Sequence, residues 1–121
     1  MLATGTALPS ETTRGWCKRW LDTKELENEP ASHQRYKQAI RIFLEFLGRD
    51  ADKNLENLTP DSMLRFRDDC ASKASIGTSN TNLRIVRACL NGARQQGLLS
   101  NNPAGFVKML KEREARASGA K

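Results

Sequence analysis

Residues 78–97 read TSNTNLRIVRACLNGARQQG, and this stretch carries two stripes at the period of an α-helix. The apolar stripe has the spacing of one buried helix face; it consists of Leu83, Val86, Leu90 and Ala93. The polar stripe contains only amide and guanidinium side chains: Asn80, Arg84, Arg87, Asn91 and Arg94. The pattern predicts a helix that packs on a core with one face and presents a cationic, hydrogen-bonding face to a partner.

The N-terminal end of this stretch is a run of short hydrogen-bonding side chains. The run consists of Thr78, Ser79, Asn80, Thr81 and Asn82. Residues 75–77 read as a turn, so Thr78 or Ser79 is predicted to cap the helix. Free backbone N–H groups and the positive dipole end at a helix N-terminus both suit a phosphate. We therefore expect this end of the helix to contact DNA.

Two helices are predicted on the N-terminal side of this stretch. The first runs over residues 13–27, where two tryptophans share one face, and Pro30 ends it. The second is predicted to be capped by Ser32 and to stop at Gly48, with an apolar stripe over residues 36–47. The tryptophan pair is interpreted as part of the core rather than as a stacking platform, because burial is the commoner use of such a stripe.

Two more helices complete the predicted fold. The third starts after Thr59, its N-cap, with Pro60 in the first helical position, and it runs to about Lys73. A short fifth helix is predicted to start in residues 101–104. The expected fold class is all-α, a compact four- to five-helix bundle.

Charge is distributed unevenly along the 121 residues, whose formal net charge is +6. Residues 1–30 carry four basic and five acidic side chains, whereas residues 31–121 carry sixteen basic and nine acidic ones. No acidic residue lies between Asp69 and Glu112. An acid-free basic stretch favours a polyanionic partner. On charge alone, a solvated basic face without a partner is the alternative.

Cysteine and histidine usage argues against a metal or cofactor site. Cys17, Cys70 and Cys89 form no CxxC pair, and His33 is the single histidine. Each cysteine falls on an apolar stripe and is expected to be a buried, inert thiol, as in a reducing cytoplasm. No apolar run reaches the length of about 20 residues that crosses a bilayer, so no membrane association is expected.

A series of short motifs follows in a fixed order from Trp16 to Lys111. The motifs are Tyr36, Ile40, Phe43 and Phe46-Leu47, then Leu58-Thr59-Pro60-Asp61, Thr78-Ser79-Asn80, Leu83, Val86-Arg87, Ala93, Gly97-Leu98-Leu99 and Asn102-Pro103-Ala104. In order and spacing they resemble the SAM-like core-binding domain of tyrosine recombinases and phage integrases. The Asn-Pro-Ala step after the Gly-Leu turn is the most specific part of this resemblance.

The resemblance implies a helical bundle that clamps one side of a recombination-site duplex during DNA integration and recombination. The helices that start near Ser32 and Thr78 are then the ones expected to face double-stranded DNA. The implied DNA-binding residues are His33, Arg35, Lys37, Arg41, Thr78, Ser79, Asn80, Thr81, Asn82, Arg84 and Arg87. Most of these contacts are expected to position the domain on phosphates rather than to read bases.

The resemblance also implies that the chemistry belongs to a separate catalytic domain that this sequence lacks. Tyr36 lies on an apolar stripe and His33 has no partner constellation, so neither is interpreted as catalytic, and the chain itself is not expected to be an enzyme. The expected organisation is a flexible tail over residues 1–12, the binding domain over residues 13–111, and the start of a linker over residues 112–121.

The expected partners are DNA and other recombinase protomers in a synaptic complex, and the isolated domain is expected to be monomeric. The expected setting is the prokaryotic cytoplasm, at the nucleoid, with a phage or mobile element as the source. The alternative function is a helical protein–protein interaction module without DNA binding. The acid-free stretch argues against that alternative, because a protein interface does not require it.

Overall fold

The described part of the chain, residues 11–111 of a computed structural model, contains four α-helices. These are α1 (Thr13–Glu27), α2 (Pro30–Leu47), α3 (Pro60–Lys73) and α4 (Ile76–Gln95). Two short 3₁₀ helices, Gly48–Asp52 and Leu55–Asn57, connect α2 to α3. The all-α fold class is thus confirmed. Residues 1–10 and 112–121, which hold most of the expected tail and the expected linker, lie outside the described residues.

The start of α3 agrees with its sequence signals. The Thr59 hydroxyl accepts a hydrogen bond from the Ser62 backbone N–H at 3.1 Å, and Pro60 occupies the first turn, where its missing N–H leaves no bond unmade. Gly97 beyond α4 has a φ of +80°, which glycine adopts without strain. Both ends were predictable because their signals are local.

Two helix starts differ from the prediction. Helix α2 begins at Pro30 rather than after Ser32, so this proline starts a helix just after α1 has ended at Glu27. Helix α4 begins at Ile76, because the Ser75 hydroxyl accepts a hydrogen bond from the Thr78 N–H at 3.0 Å. Ser75 thus caps the helix in place of Thr78 or Ser79, three or four residues earlier than expected. Thr78 and Ser79 consequently lie inside the first turn of α4.

The predicted fifth helix is wrong: residues 103–106 form turns, and residues 107–111 continue without regular structure. The Asn102 side chain explains this difference. Its oxygen accepts from the Ala104 N–H at 2.8 Å, which is a local turn that competes with helix formation. Its amide nitrogen donates to the Arg87 carbonyl oxygen at 2.9 Å and ties the turn to α4.

Helix α4 lies at the centre of the core and packs against the other three helices. Against α1, the Trp16 indole donates to the Cys89 carbonyl oxygen at 2.8 Å, and a Cβ placed on Gly92 would come within 3.1 Å of the Trp16 ring. Between α2 and α3, the rings of Phe43 and Phe66 meet edge to face at 5.1 Å.

The three cysteines are free and buried in the described structure, as the sequence indicated. The two tryptophans are also buried, which confirms their assignment to the core. Within residues 11–111, no helix combines the length and apolar character that a bilayer crossing requires.

Candidate nucleic-acid interface

Helix α2 presents a polar face because its opposite face is buried. Ala39, Ile40 and Phe43 lie in the core, whereas Lys37 and Arg41 are exposed. Arg41 forms an ion pair with Glu45 one turn later, at 3.2 Å. Lys37 has no such partner among the described residues. The outer face of α2 therefore carries Arg41, which is paired with Glu45, and Lys37, which is unpaired within residues 11–111.

A groove of about 670 Å³ runs between the N-terminal parts of α2 and α4. The residues that line it are Ala31, Gln34, Arg35, Gln38, Ile42, Ser75, Gly77, Thr78, Thr81 and Asn82. Arg35 from α2 thus faces the same space as Thr78 and Thr81 from α4. No carboxylate of the described residues lines this groove, and Arg35 is the one charged residue among those that do.

Ser79 and Asn82, both expected to contact DNA, are instead buried between α4 and α3. The Ser79 hydroxyl donates to the Arg67 carbonyl oxygen at 2.6 Å, and the Asn82 amide lies 3.9 Å from the Cys70 sulfur. They were misassigned because both lie on the side of α4 that also carries Leu83, the side that packs on α3.

Asn80 and Arg87, two members of the Asn/Arg stripe, bind the chain's own backbone. The Asn80 amide donates to the Leu110 carbonyl oxygen at 2.9 Å, and its oxygen accepts from the Leu110 N–H at 2.9 Å. The Arg87 guanidinium donates to the carbonyl oxygens of Ala104, at 3.0 Å, and Val107. Part of the stripe predicted to bind DNA is thus covered by the segment of residues 102–111, here called the C-terminal segment.

His33 lies close to α1 rather than in an open groove. Its Nε2 is 3.2 Å from the Leu21 carbonyl oxygen, so the ring joins the start of α2 to α1. The half-buried Tyr36 packs against Trp20 with 5.5 Å between ring centroids. Both side chains therefore make contacts within the fold, between α1 and α2.

Ion pairing divides the cations of the described chain into two groups. Every basic residue of α1 and α3 forms an ion pair with a carboxylate. The cations without a carboxylate partner among residues 11–111 lie in α2, in α4 and in the segments that follow them: Arg35, Lys37, Arg49, Arg84, Arg87, Arg94, Lys108 and Lys111. The unneutralised positive charge is therefore concentrated on these elements.

The sequence prediction did not include Gln34 and Gln38, although both line the groove and also a larger hollow between α2 and α1. Helix periodicity could have identified them, because it places both glutamines on the outer face of α2 with Lys37 and Arg41. Among residues 11–111 there is also no cluster of three or more His, Cys, Asp or Glu side chains that could hold a metal ion.

One family model matches residues 14–109, nearly the whole described chain, and its description is Phage integrase SAM-like domain. No curated protein matches the sequence. The family match agrees with the resemblance inferred from the motifs.

Solved structures with a similar fold include a lambda integrase dimer bound to a COC′ core site. The TM-score is 0.81 at 14% identity, over 89% of this chain and 30% of that one. A second similar structure is the N-terminal domain of a phage integrase/site-specific recombinase from Haloarcula marismortui, with a TM-score of 0.75 at 16% identity. This chain covers 99% of that domain, but less than a third of the lambda integrase chain.

Proposed function

The chain belongs to the phage integrase SAM-like domain family, and from this membership we propose that it binds double-stranded DNA through α2 and the N-terminal half of α4. The groove between these helices carries the proposal, because Arg35, Thr78 and Thr81 line it and no carboxylate of residues 11–111 does. Lys37 and Arg84, which are exposed and form no ion pair within residues 11–111, extend the cationic surface on either helix.

The contacts are proposed to be mainly to phosphates, which set orientation and affinity more than sequence preference. The revised set of DNA contacts is Gln34, Arg35, Lys37, Gln38, Arg41, Thr78, Thr81 and Arg84. The dissociation constant of the isolated domain for a duplex is expected to be about 10⁻⁴ to 10⁻⁶ M at physiological salt, which is typical of non-specific DNA binding.

We further propose that the domain acts within a recombinase, where it holds one side of a duplex during DNA integration and recombination. Other protomers in a synaptic complex are then its protein partners, and the domain alone is monomeric. The similar lambda integrase structure is a dimer on DNA, which supports both kinds of partner. The proposed setting of this activity is the prokaryotic cytoplasm, at the nucleoid.

The test is the salt dependence of binding to a labelled duplex, measured by fluorescence anisotropy. Each phosphate contact contributes about 0.9 to the slope of log affinity against log salt. Arg35→Ala and Arg84→Ala are each expected to lower the slope by about this amount. Lys18→Ala is the control, because it also removes one positive charge. Lys18 lies on α1, outside the proposed surface, in an ion pair with Asp22. Binding that is absent or independent of salt contradicts the proposal.

A protein-interaction module is the second candidate, favoured by Phe106, whose side chain is 86% exposed. A large exposed aromatic residue is a common feature of protein interfaces. If this candidate is correct, the duplex titration shows no binding. If the DNA proposal is correct, Phe106→Ser binds DNA as the parent does.

A further inference from the structure

We propose that the C-terminal segment forms one edge of the DNA-binding surface, with Lys111 as a phosphate contact and Asn80 as the residue that positions it. This inference rests on the proposed function, and it adds a binding residue and a positioning residue to that surface.

Side chains, not a backbone ladder, attach the segment. Asn80 makes two hydrogen bonds to the backbone of Leu110, and Arg87 donates to two carbonyl oxygens nearer the start of the segment. From α3, Arg67 donates to the Lys108 carbonyl oxygen at 3.0 Å. Three side chains from two helices therefore determine the path of residues 104–110.

These contacts also give the direction of the segment. It passes Arg87 at Ala104 and reaches Asn80 at Leu110, so it runs antiparallel to α4 over seven helical residues, or about 10 Å. Lys111 directly follows the residue that Asn80 holds. The segment thus brings Lys111 level with the N-terminal end of α4 on the side of Asn80, whereas Thr78 and Thr81 line the groove on another side of the same helix.

The charge of the described residues in this region suits a phosphate. Lys108 and Lys111 are exposed and have no carboxylate partner among residues 11–111. Arg84 lies one turn from Asn80 on the same stripe and is also unpaired. The carboxylates of the neighbouring helix α3 are each engaged by a nearby cation of the same helix. A polyanion that lies across the N-terminal end of α4 on the side of Asn80 and Arg84 therefore meets no unpaired carboxylate of α3 or α4.

Asn80 is suited to hold Leu110 because its amide has one acceptor and one donor group side by side. The amide oxygen accepts from the Leu110 N–H and the amide nitrogen donates to the Leu110 carbonyl oxygen, so both backbone groups of Leu110 are satisfied. Alanine at this position supplies neither bond, and we expect the end of the segment to detach from α4. Lys111 then becomes mobile relative to α4, and its phosphate contact is lost.

The experiment is a double-mutant cycle on the full 121-residue chain, with the slope of log affinity against log salt as the readout. Lys111→Ala is expected to lower the slope by about 0.9, the value for one phosphate. Asn80→Ala is expected to lower it by a similar amount, and the double variant by no more than either single variant. Lys111→Arg keeps the charge and is expected to restore the parent slope.

Circular dichroism at the assay temperature establishes that each variant is folded, and Lys18→Ala again controls for net charge. A purely structural role of Asn80 would change the melting temperature but leave the slope unchanged, which would overturn its positioning role.

Lys111→Ala changes only an exposed side chain, so a parent-like slope for this folded variant would overturn the contact itself. If Arg35→Ala still lowers the slope in that case, the proposed function stands without this inference. If the parent protein does not bind DNA, the proposed function is wrong, and the inference that rests on it is wrong with it.

Discussion

Arg87 illustrates how a polar residue on a basic helix can serve the fold instead of a ligand. Its spacing from Arg84 suggests two equivalent DNA contacts one turn apart, but the structure gives the two guanidinium groups different surroundings. Arg84 is exposed, whereas Arg87 is half-buried and bonded to Ala104 and Val107. A side chain that already holds two backbone carbonyl groups is a poor choice for a phosphate contact.

Arg87→Ala is therefore expected to reduce the free energy of unfolding by about 1–3 kcal/mol, because it leaves two carbonyl oxygens without their charged donor. Urea denaturation followed by circular dichroism measures this change. Arg84→Ala is the matched control and is expected to stay within about 0.5 kcal/mol of the parent. Equal stability of the two variants would contradict the structural role of Arg87.

At the scale of elements, the four long helices were predictable because their apolar periodicity is strong and the Thr59-Pro60 start is a local signal. The start of α4 was not, since Ser75, Thr78 and Ser79 are all good capping residues and only tertiary packing selects among them. The fifth helix was misjudged because the Asn102 side chain accepts a hydrogen bond from the Ala104 N–H and forms a turn instead. The role of the polar stripe was misjudged for a different reason. Asn80 binds a residue 30 positions away, and helix periodicity carries no information on such a contact.

The contact between α1 and α4 depends on the absence of a side chain at Gly92. Leucine at this position would have to displace Trp16 and Trp20, which lie 3.1 and 3.4 Å from an ideal Cβ. Gly92→Leu is expected to lower the free energy of unfolding by about 1–3 kcal/mol through overpacking.

The matched control is Ala88→Leu, which adds a larger side chain to an exposed position of the same helix. It is expected to stay within about 0.5 kcal/mol of the parent in the same urea titration. A Gly92→Leu protein as stable as Ala88→Leu would show that the interface between α1 and α4 is looser than described.

At the scale of the whole molecule, the three buried thiols differ in how completely the core shields them from solvent. Cys17 and Cys89 lie between α1 and α4, with 3.9 Å between their sulfur atoms and no exposed surface. Cys70 is 4% exposed and borders a hollow of about 240 Å³ between α2 and α3. Burial raises the pKa of the Cys70 thiol and raises that of Cys89 well above the usual value.

Labelling with an aromatic disulfide reagent at pH 8 is expected to show two phases. Cys70 reacts first through local opening of the hollow, at a rate that low urea concentrations hardly change. Cys17 and Cys89 react only when the chain unfolds globally, so their rate rises steeply with urea. Cys70→Ala should remove the fast phase alone. One phase for all three thiols would show that α3 opens only together with the rest of the molecule.

The attachment of the C-terminal segment has a consequence for protein engineering. Asn80, Arg87 and Arg67 bind main-chain atoms of the segment, and main-chain atoms are the same whatever residue supplies them. The exposed side chains at Phe106, Lys108 and Lys111 can therefore be randomised in a library while the anchoring bonds persist. Such a library would vary one margin of the surface on an unchanged scaffold, and selection could tune its preference among ligands.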